Sequence, residues 1–257
     1  MVATKLNYCN SSFFWRTAHN MRVSKQHDEN SNMTLKTIQL LLTGLMISPM
    51  AMGSTTSVFV NPHQHYTGMQ VGYGDGEFDL ALQYAHPLQH DWSLLSGYVT
   101  NHHFDRHHFS FEAQRGDGLG VLVAYLNDSD FDGRDIRAKE LSIGSYYEMP
   151  ISPILSFYPG GDLNKFRHRE MSGSLYYARA HLDMVVDSQR NIWFGLKPEY
   201  NHSFGTLREK NGPNKKLRDW DVHAHLGFRL NSNSALVYRY QYDDGNNLSL
   251  FAYEGAF

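Results

Sequence analysis

Ionisable side chains recur at every second position in several stretches of the carboxy-terminal half of the chain. Arg179, His181 and Asp183 form one such row, and Lys197 and Glu199 form another. Because successive side chains of a β-strand point to opposite faces, a spacing of two places each row on one face. Charges of both signs along one face are typical of a passage that selects solutes by charge. The candidate pore-lining residues are Arg179, His181, Asp183, Lys197, Glu199, Asp221, His223, His225, Arg229, Arg239 and Asp243.

Four histidines stand close together around Asp105, at His102, His103, His107 and His108. Imidazole groups can hold zinc, copper or nickel. The stretch lacks cysteine and shows no matched metal-ligand spacing, so solvated loop histidines are the alternative interpretation. We expect no metal and no cofactor, and these four histidines are the candidate ligands should a metal bind.

His202 and Ser203 bring together the side chains used in nucleophilic catalysis. The surrounding residues 200–205 resemble the His/Ser motif of outer-membrane phospholipases, in which one residue separates the two. A nucleophilic serine needs its histidine within hydrogen-bond reach on the same face. Adjacent residues of an extended backbone point to opposite faces. We therefore predict no catalytic residue and no enzymatic activity, with an outer-membrane lipid hydrolase as the alternative.

The elements that must carry these residues are β-strands, because apolar and polar residues alternate through most of the chain. Phe109 and Phe111, for example, alternate with Ser110 and Glu112. The pattern predicts twelve strands of about ten residues, near 65–74, 77–86, 92–101, 107–115, 119–128, 139–148, 152–159, 171–184, 191–202, 219–230, 235–243 and 247–257. Every second connection is short, whereas most of the others are longer and more charged, including 101–106, 127–138, 160–170 and 203–218.

Strand length and loop asymmetry together indicate an all-β fold, a transmembrane antiparallel up-and-down β-barrel. A tilted strand needs about 9–11 residues to cross the hydrocarbon layer. Lipid leaves no backbone polar group unpaired, so the sheet must close. Short turns at one end and long loops at the other are typical of outer-membrane barrels. We predict twelve strands, with ten or fourteen as alternatives, and a soluble lipocalin-like barrel or sandwich as the competing fold.

Composition excludes several other classes. The chain has 257 residues, of which 41% are hydrophobic, and a formal charge of −3. These values argue against disorder and against a general nucleic-acid binder. Cys9 is the single cysteine, so there is no intrachain disulfide framework. The mean hydropathy of −0.49 is that of a polar protein, but the many aromatic residues (Tyr 16, Phe 15, Trp 4) suit the interfacial girdles of a barrel.

The amino-terminal part is expected to be an export signal. In residues 33–53, Lys36 precedes an apolar run of about ten residues, and small residues follow Pro49. This is the layout of a secretory signal peptide, with cleavage near Gly53 and Ser54. Residues 1–32 are then an upstream extension that is not native or is disordered, and residues 54–257 form the barrel. The expected location is a bacterial outer membrane.

The last strand ends in an aromatic residue, with Phe251, Tyr253 and Phe257 on one face. It resembles the terminal strand that the barrel-assembly machinery reads in bacterial outer-membrane proteins. The resemblance implies that these three residues are an assembly signal and that this machinery is a partner. Gly255 departs from the pattern, because a larger apolar residue is common there.

Residues 191–257 are similar in layout to the oligogalacturonate-specific porins of the KdgM type. The matching features are a basic loop at 210–218, a turn at 230–233 and Tyr238-Arg239-Tyr240 before an acidic loop. The resemblance covers about a quarter of the chain and implies a twelve-stranded channel for acidic oligosaccharides. Its basic pore lining would correspond to Arg179, Lys197, Arg229 and Arg239. The many acids on the same faces would repel acidic sugars.

These observations predict a small outer-membrane channel, a porin for passive diffusion of small polar or charged solutes, including oligosaccharides. Two alternatives remain open: an outer-membrane lipid-modifying enzyme, and a non-conducting adhesive or structural barrel with functional outer loops. The barrel would not conduct if paired charges filled a narrow lumen. The expected partners are outer-membrane lipids and lipopolysaccharide, the assembly machinery and small solutes, with no nucleic acid. The basic loop near 207–218 is expected to meet lipopolysaccharide phosphates.

Overall fold

The computed structural model describes residues 59–74, 77–131, 136–188, 191–206, 216–243 and 246–257. The predicted signal peptide and most of the basic loop at 207–218 lie outside these residues. The strands are β1 (Gly68–Gly74), β2 (Glu77–Pro87), β3 (Trp92–Asn101), β4 (Arg106–Arg115), β5 (Leu119–Phe131), β6 (Ile136–Tyr147), β7 (Met149–Ser152), β8 (Leu155–His168), β9 (Leu175–Asp187), β10 (Ile192–Ser203), β11 (Arg218–Asn231), β12 (Ser234–Asp243) and β13 (Asn246–Ala256).

The thirteen strand segments form a closed barrel with twelve antiparallel strand positions, which we call staves. β7 continues β6 beyond a break at Glu148, and β8 pairs with both segments. β1 pairs with β13 from Gly68 opposite Ala256 to Tyr73 opposite Phe251, which closes the sheet. The predicted twelve-stranded up-and-down barrel is confirmed. Among the described residues, no helix is long and apolar enough to cross a membrane.

The two faces of the wall differ in polarity as the alternation predicts. On β4, Phe109 and Phe111 are exposed on the outside, whereas Ser110 and Glu112 are buried in the interior. On β11, Trp220 and Leu226 face outward and Asp221 is buried. A closed wall with an apolar outside and a charged inside suits lipid, where an outward charge at mid-membrane would cost about 2–4 kcal/mol. The fold is therefore that of a membrane-spanning barrel.

The two ends of the barrel also differ. The connections after β2, β4, β7, β9 and β11 are short turns and lie at one end, together with the start of β1 and the end of β13. Gly118, in the turn after β4, has a φ of +96°, and a Cβ there would approach the Glu148 carbonyl oxygen to 2.9 Å. In the same turn, the hydrogen bond from Arg115 lowers the pKa of Asp117. The longest connection, after β10, lies at the opposite end. By the rule for outer-membrane barrels, the short-turn end is periplasmic.

Several predicted boundaries differ from the structure. Residues 127–138, predicted as a long loop, are strand at both ends, because β5 runs to Phe131 and β6 starts at Ile136. Residues 160–170, predicted as a long loop, belong mainly to β8, which runs to His168. Residues 150–153, predicted as a turn, are mostly β7. Residues 65–67, predicted as the start of the first strand, precede β1. In β8 the cause is physical: Lys165 and Arg167 point outward beyond the apolar band, so the strand continues where the apolar alternation stops.

Candidate functional site

The interior of the barrel is charged and predominantly acidic. The described residues include three fully or nearly buried cations, Arg106, Arg179 and Lys197. They face nine buried carboxylates: Asp79, Glu112, Asp128, Glu140, Asp162, Asp183, Glu199, Asp221 and Glu254. Burying a charge is costly unless it is paired and hydrogen-bonded. The interior must therefore consist of ion-pair networks or hold water and counter-ions.

Arg179 lies at the centre of the largest network, on β9. Its guanidinium donates to Asn201 Oδ1 at 3.2 Å and to the Tyr177 hydroxyl at 3.1 Å. Two carboxylates lie slightly farther away, those of Asp162 and Glu199, each at 3.7 Å. Neighbouring strands bring these groups together because the register of the sheet places Arg179 opposite Asp162 and Asn201. One cation thus links β8, β9 and β10.

Lys197 and Glu199 extend this network towards β11. Lys197 Nζ lies 3.2 Å from Glu199 Oε1 and 4.0 Å from Asp183 Oδ2. The imidazole of His223 lies 3.3 Å from Glu199 Oε2. Asn201 donates to Asp221 at 2.8 Å. The predicted rows on β9, β10 and β11 therefore meet inside the barrel.

The two other arginines of the predicted pore lining are also paired with acids. Arg229 Nη2 lies 2.7 Å from Asp187 Oδ2, and Arg239 is in contact with Glu254. His181 lies 4.0 Å from Asp162. The ring of His225 covers Gly195 on the facing strand, where a Cβ would come within 1.9 Å of it. The side chain of Asp243 lies outside the described residues. The basic lining that the KdgM-type resemblance implies is thus neutralised by neighbouring carboxylates.

Residues 59–67 enter the lumen from the short-turn end, before the chain joins the wall at β1. Phe59 is 6% exposed and packs in one cluster with inward side chains of β6, β8, β9, β10 and β12. The members of this cluster are Tyr146, Tyr158, Val185, Trp193, Ala235 and Val237. A residue outside the strands that belongs to a cluster of inward side chains from five staves lies inside the barrel rather than in its wall. This amino-terminal segment, residues 59–67, therefore occupies the lumen.

Two carboxylates of the wall hold the amino-terminal segment. His63 stacks on Tyr146 with ring centroids 3.6 Å apart, and its Nδ1 lies 3.2 Å from Glu112 Oε1. The hydroxyl of Tyr146 donates to the same oxygen at 2.5 Å. Glu148, at the break between β6 and β7, accepts hydrogen bonds from Asn61 at 3.2 and 3.3 Å. Glu148 also accepts hydrogen bonds from Gln114 and Tyr158.

The sequence pattern missed the segment and also Glu112, Glu140 and Asp162. A signal for Glu112 and Glu140 was present, since each is a carboxylate at an inward position of an alternating strand. The inward position of Asp162 could not be predicted, because the sequence pattern predicts a loop at residues 160–170. Residues 59–67 have no periodicity and carry no comparable signal.

The candidate metal ligands do not converge. His107 lies on the outward side of β4, where its Nδ1 is 2.8 Å from the Tyr98 hydroxyl, and His108 lies on the inward side. His102 and His103 are exposed in the preceding turn, with ring centroids 3.6 Å apart. Within the described ranges, no group of three or more histidine, cysteine, aspartate or glutamate side chains is arranged to hold a metal ion.

His202 and Ser203 point to opposite sides of β10, as their adjacency predicts. Ser203 is buried, and its hydroxyl donates to the Gly205 carbonyl at 2.8 Å and accepts from the Leu217 N–H at 3.0 Å. His202 lies on the other face, beside Tyr200. This pair cannot act as a nucleophile and its base.

The three residues of the predicted assembly signal lie at the end of the chain. Phe251 and Phe257 are strongly exposed, and Tyr253 is half-buried on the outward side of β13. The Phe257 N–H donates to the Thr67 carbonyl at 3.0 Å. These three side chains form an outward aromatic row that runs from the middle of β13 to the end of the chain.

Comparison with solved structures shows the same type of barrel. An outer-membrane channel from Pseudomonas putida F1 is 9% identical, with a TM-score of 0.50, and the match covers 82% of this chain and 100% of that one. The NanC porin is 11% identical, with a TM-score of 0.48, and the KdgM porin is 10% identical, with a TM-score of 0.45. Each match covers 74% of this chain and 98% of the other.

No protein family and no curated protein matches the sequence. At identities of 9–11%, the structural similarities show the fold alone. The KdgM porin named in the sequence resemblance is among these similar structures. The chain has the fold of a twelve-stranded outer-membrane β-barrel.

Proposed function

We propose that the protein is a small outer-membrane channel for passive diffusion of small polar or charged solutes. The single observation that carries the proposal is the closed wall with an apolar outside and a charged inside. A structural barrel needs no such interior, because apolar side chains could fill it at lower cost than buried ion pairs. Twelve strands also enclose a wider lumen than eight, whose interior side chains alone can fill.

The charge balance of the lumen favours cations over anions. Nine buried carboxylates face three buried cations, and the half-buried Arg229 and Arg239 are each paired with an acid. Acidic side chains lining a pore attract cations and repel anions. We therefore propose cationic or neutral solutes, including neutral oligosaccharides, rather than acidic sugars.

The amino-terminal segment narrows the periplasmic end of this channel in the state described. Phe59 and His63 fill the space between Tyr146, Tyr158 and Trp193. Conduction then requires that the segment leave its site or that solutes pass beside it. We propose that the docked segment gives a level of low conductance.

The proposed location is a bacterial outer membrane. The apolar outward face and the terminal aromatic row formed by Phe251, Tyr253 and Phe257 support it. The barrel-assembly machinery is the proposed partner for insertion, reading that row. Residues 33–53 would direct export, with cleavage near Gly53 and Ser54.

Planar-bilayer recording of the refolded protein tests the proposal. Under a KCl gradient, we expect discrete conductance levels and a reversal potential whose sign indicates selectivity for cations over anions. Arg229→Ser and Arg239→Ser each remove a positive charge and free a carboxylate, so both should increase the preference for cations. The matched control is Arg115→Ser, because Arg115 is exposed in a turn outside the lumen, 2.5 Å from Asp117. A bilayer without discrete levels would contradict the channel. Reversal potentials that stay unchanged in both lumen variants would contradict the assignment of these arginines to the pore lining.

A further inference from the structure

Five cations crowd together on the outward face of the barrel, at its long-loop end. Arg137 and Lys139 lie on β6, Lys165 and Arg167 lie on β8, and Arg169 follows β8 directly. All five side chains are exposed. We call them the outer basic cluster. They are separate from the interior networks, because the wall of the barrel lies between.

The register of the sheet places these charges side by side. Lys139 is directly opposite Arg167, and Lys165 is opposite Leu141. The Arg169 N–H donates to the Arg137 carbonyl at 3.1 Å, so these two residues are also neighbours. Opposite residues on paired strands have Cβ atoms about 5 Å apart, and like charges at that distance destabilise the pair. Such an arrangement favours the binding of an anion.

Within the part of the chain described, none of these five side chains forms an ion pair with a carboxylate, whereas the cations of the interior are ion-paired. Glu140 also borders the groove, but its side chain is buried and accepts a hydrogen bond from Tyr177. Lys165 makes one aromatic contact, with its Nζ 5.8 Å from the centroid of Tyr176. The cluster borders a groove of about 810 Å³ that also contacts Tyr125, Leu141 and Ser174.

The outer basic cluster lies directly above the apolar band. Below it, Leu141 and Ile143 on β6 and Leu163 on β8 are exposed and apolar. The exposed apolar residues of this stave continue beyond Tyr147 to Met149 and Ile151 on β7. From Ile151 to Lys139 the chain rises about 40 Å at 3.3 Å per residue, or about 30 Å along the membrane normal for a tilt near 40°, against an apolar band of about 25 Å. Lys139 therefore lies about where the hydrocarbon ends and the outer head groups begin.

We propose that the outer basic cluster binds the phosphorylated head group of an outer-leaflet glycolipid of the lipopolysaccharide type. The phosphates contact the five cations, and the acyl chains lie against Leu141, Ile143 and Leu163. An amphipathic anion is the ligand that fits a basic groove above an apolar wall, because each of its parts meets a complementary surface. This proposal rests on the membrane location in the proposed function and not on conduction, so it can fail while the channel stands.

The test is native mass spectrometry of the refolded full-length protein with bis-phosphorylated lipid A, and with the same lipid lacking its phosphates. The double variant Lys139→Gln/Arg167→Gln should reduce binding of the phosphorylated lipid by about 20-fold, since each cation near an anionic surface contributes roughly fivefold. Arg137→Gln/Lys165→Gln should give a similar loss. The control is Arg115→Gln, because Arg115 is exposed at the short-turn end, on the opposite side of the membrane from the cluster. Binding in the control should change less than twofold.

Three results would overturn the proposal. The first is equal binding of the lipid with and without phosphates. The second is an equal loss in the Arg115 control, which would show a general attraction to positive charge. The third is displacement of the lipid by an equal concentration of inorganic phosphate, which would assign the cluster to a free anion. Folding of every variant is checked by its heat-dependent mobility shift on a gel, which monitors the barrel independently of lipid.

Discussion

Replacing Phe59 by alanine should release the amino-terminal segment and increase conductance through the barrel. Phe59 is almost completely buried among side chains from five staves, and its ring also meets Tyr66 edge to face, with centroids 5.4 Å apart. It precedes β1, so it is not part of the strand pairing that forms the wall. The change therefore acts on the docked segment and leaves the barrel intact.

The size of the effect follows from this burial. Truncating a buried phenylalanine to alanine costs about 3–5 kcal/mol when the surroundings cannot close around the cavity. Taking the lower figure, because the lumen can admit water, a loss of about 3 kcal/mol shifts the equilibrium between docked and released segment by roughly 100-fold. The polar anchors formed by His63 with Glu112 and by Asn61 with Glu148 remain, so release is expected to be reversible.

Single-channel recording measures this shift as the ratio of time in the high-conductance level to time in the low one. The ratio should rise by one to two orders of magnitude in Phe59→Ala. Phe204→Ala is the matched control, since Phe204 is 66% exposed in the connection after β10 and touches nothing in the lumen cluster. If dwell times in Phe59→Ala equal those of the unchanged protein, the segment does not limit conduction and the reasoning is refuted.

Three further predictions concern the wall. Gly227→Val should destabilise the barrel by about 1–3 kcal/mol in urea unfolding, because a Cβ at Gly227 would lie 2.1 Å from the Trp193 ring. An unchanged urea midpoint of unfolding would contradict this prediction. Arg106→Met should lower the free energy of unfolding by about 3–5 kcal/mol in the same measurement, because it leaves Asp79, 2.9 Å away, without its buried cation. Arg115→Met, beside the exposed turn, is the control and should have little effect. Deleting Phe257 should lower insertion into outer membranes in cells and leave refolding in detergent unchanged; equal losses in both would show a structural role instead.

The faces of the strands were predictable from sequence because lipid imposes a period of two. Phe109 and Ser110 could be assigned to opposite faces without knowledge of any neighbouring strand. The row formed by Asp221, His223 and His225 could be assigned to the inward face in the same way. The pattern failed at Lys165 and Arg167, where β8 leaves the hydrocarbon layer and an outward position no longer needs an apolar side chain.

The position of the amino-terminal segment could not be predicted for a different reason. Its location depends on Glu112 and Glu148, which lie about 50 and 87 residues away in the chain. No local pattern records such contacts. The pairing of Arg179 with Asp162 and Glu199 was similarly hidden, because it depends on the register of three strands. Sequence could show that these charges face inward, and only the register shows which of them meet.

The bond between Phe257 and Thr67 has a consequence for the order of assembly. Thr67 lies where the amino-terminal segment joins the wall, and Phe257 is the last residue of the sequence. β1 and β13 are separated by about 170 residues of chain, and closing so long a loop is slow. Until these two strands pair, the sheet stays open and residues 59–67 have no enclosed lumen to occupy. Docking of the amino-terminal segment is therefore expected to follow closure of the barrel.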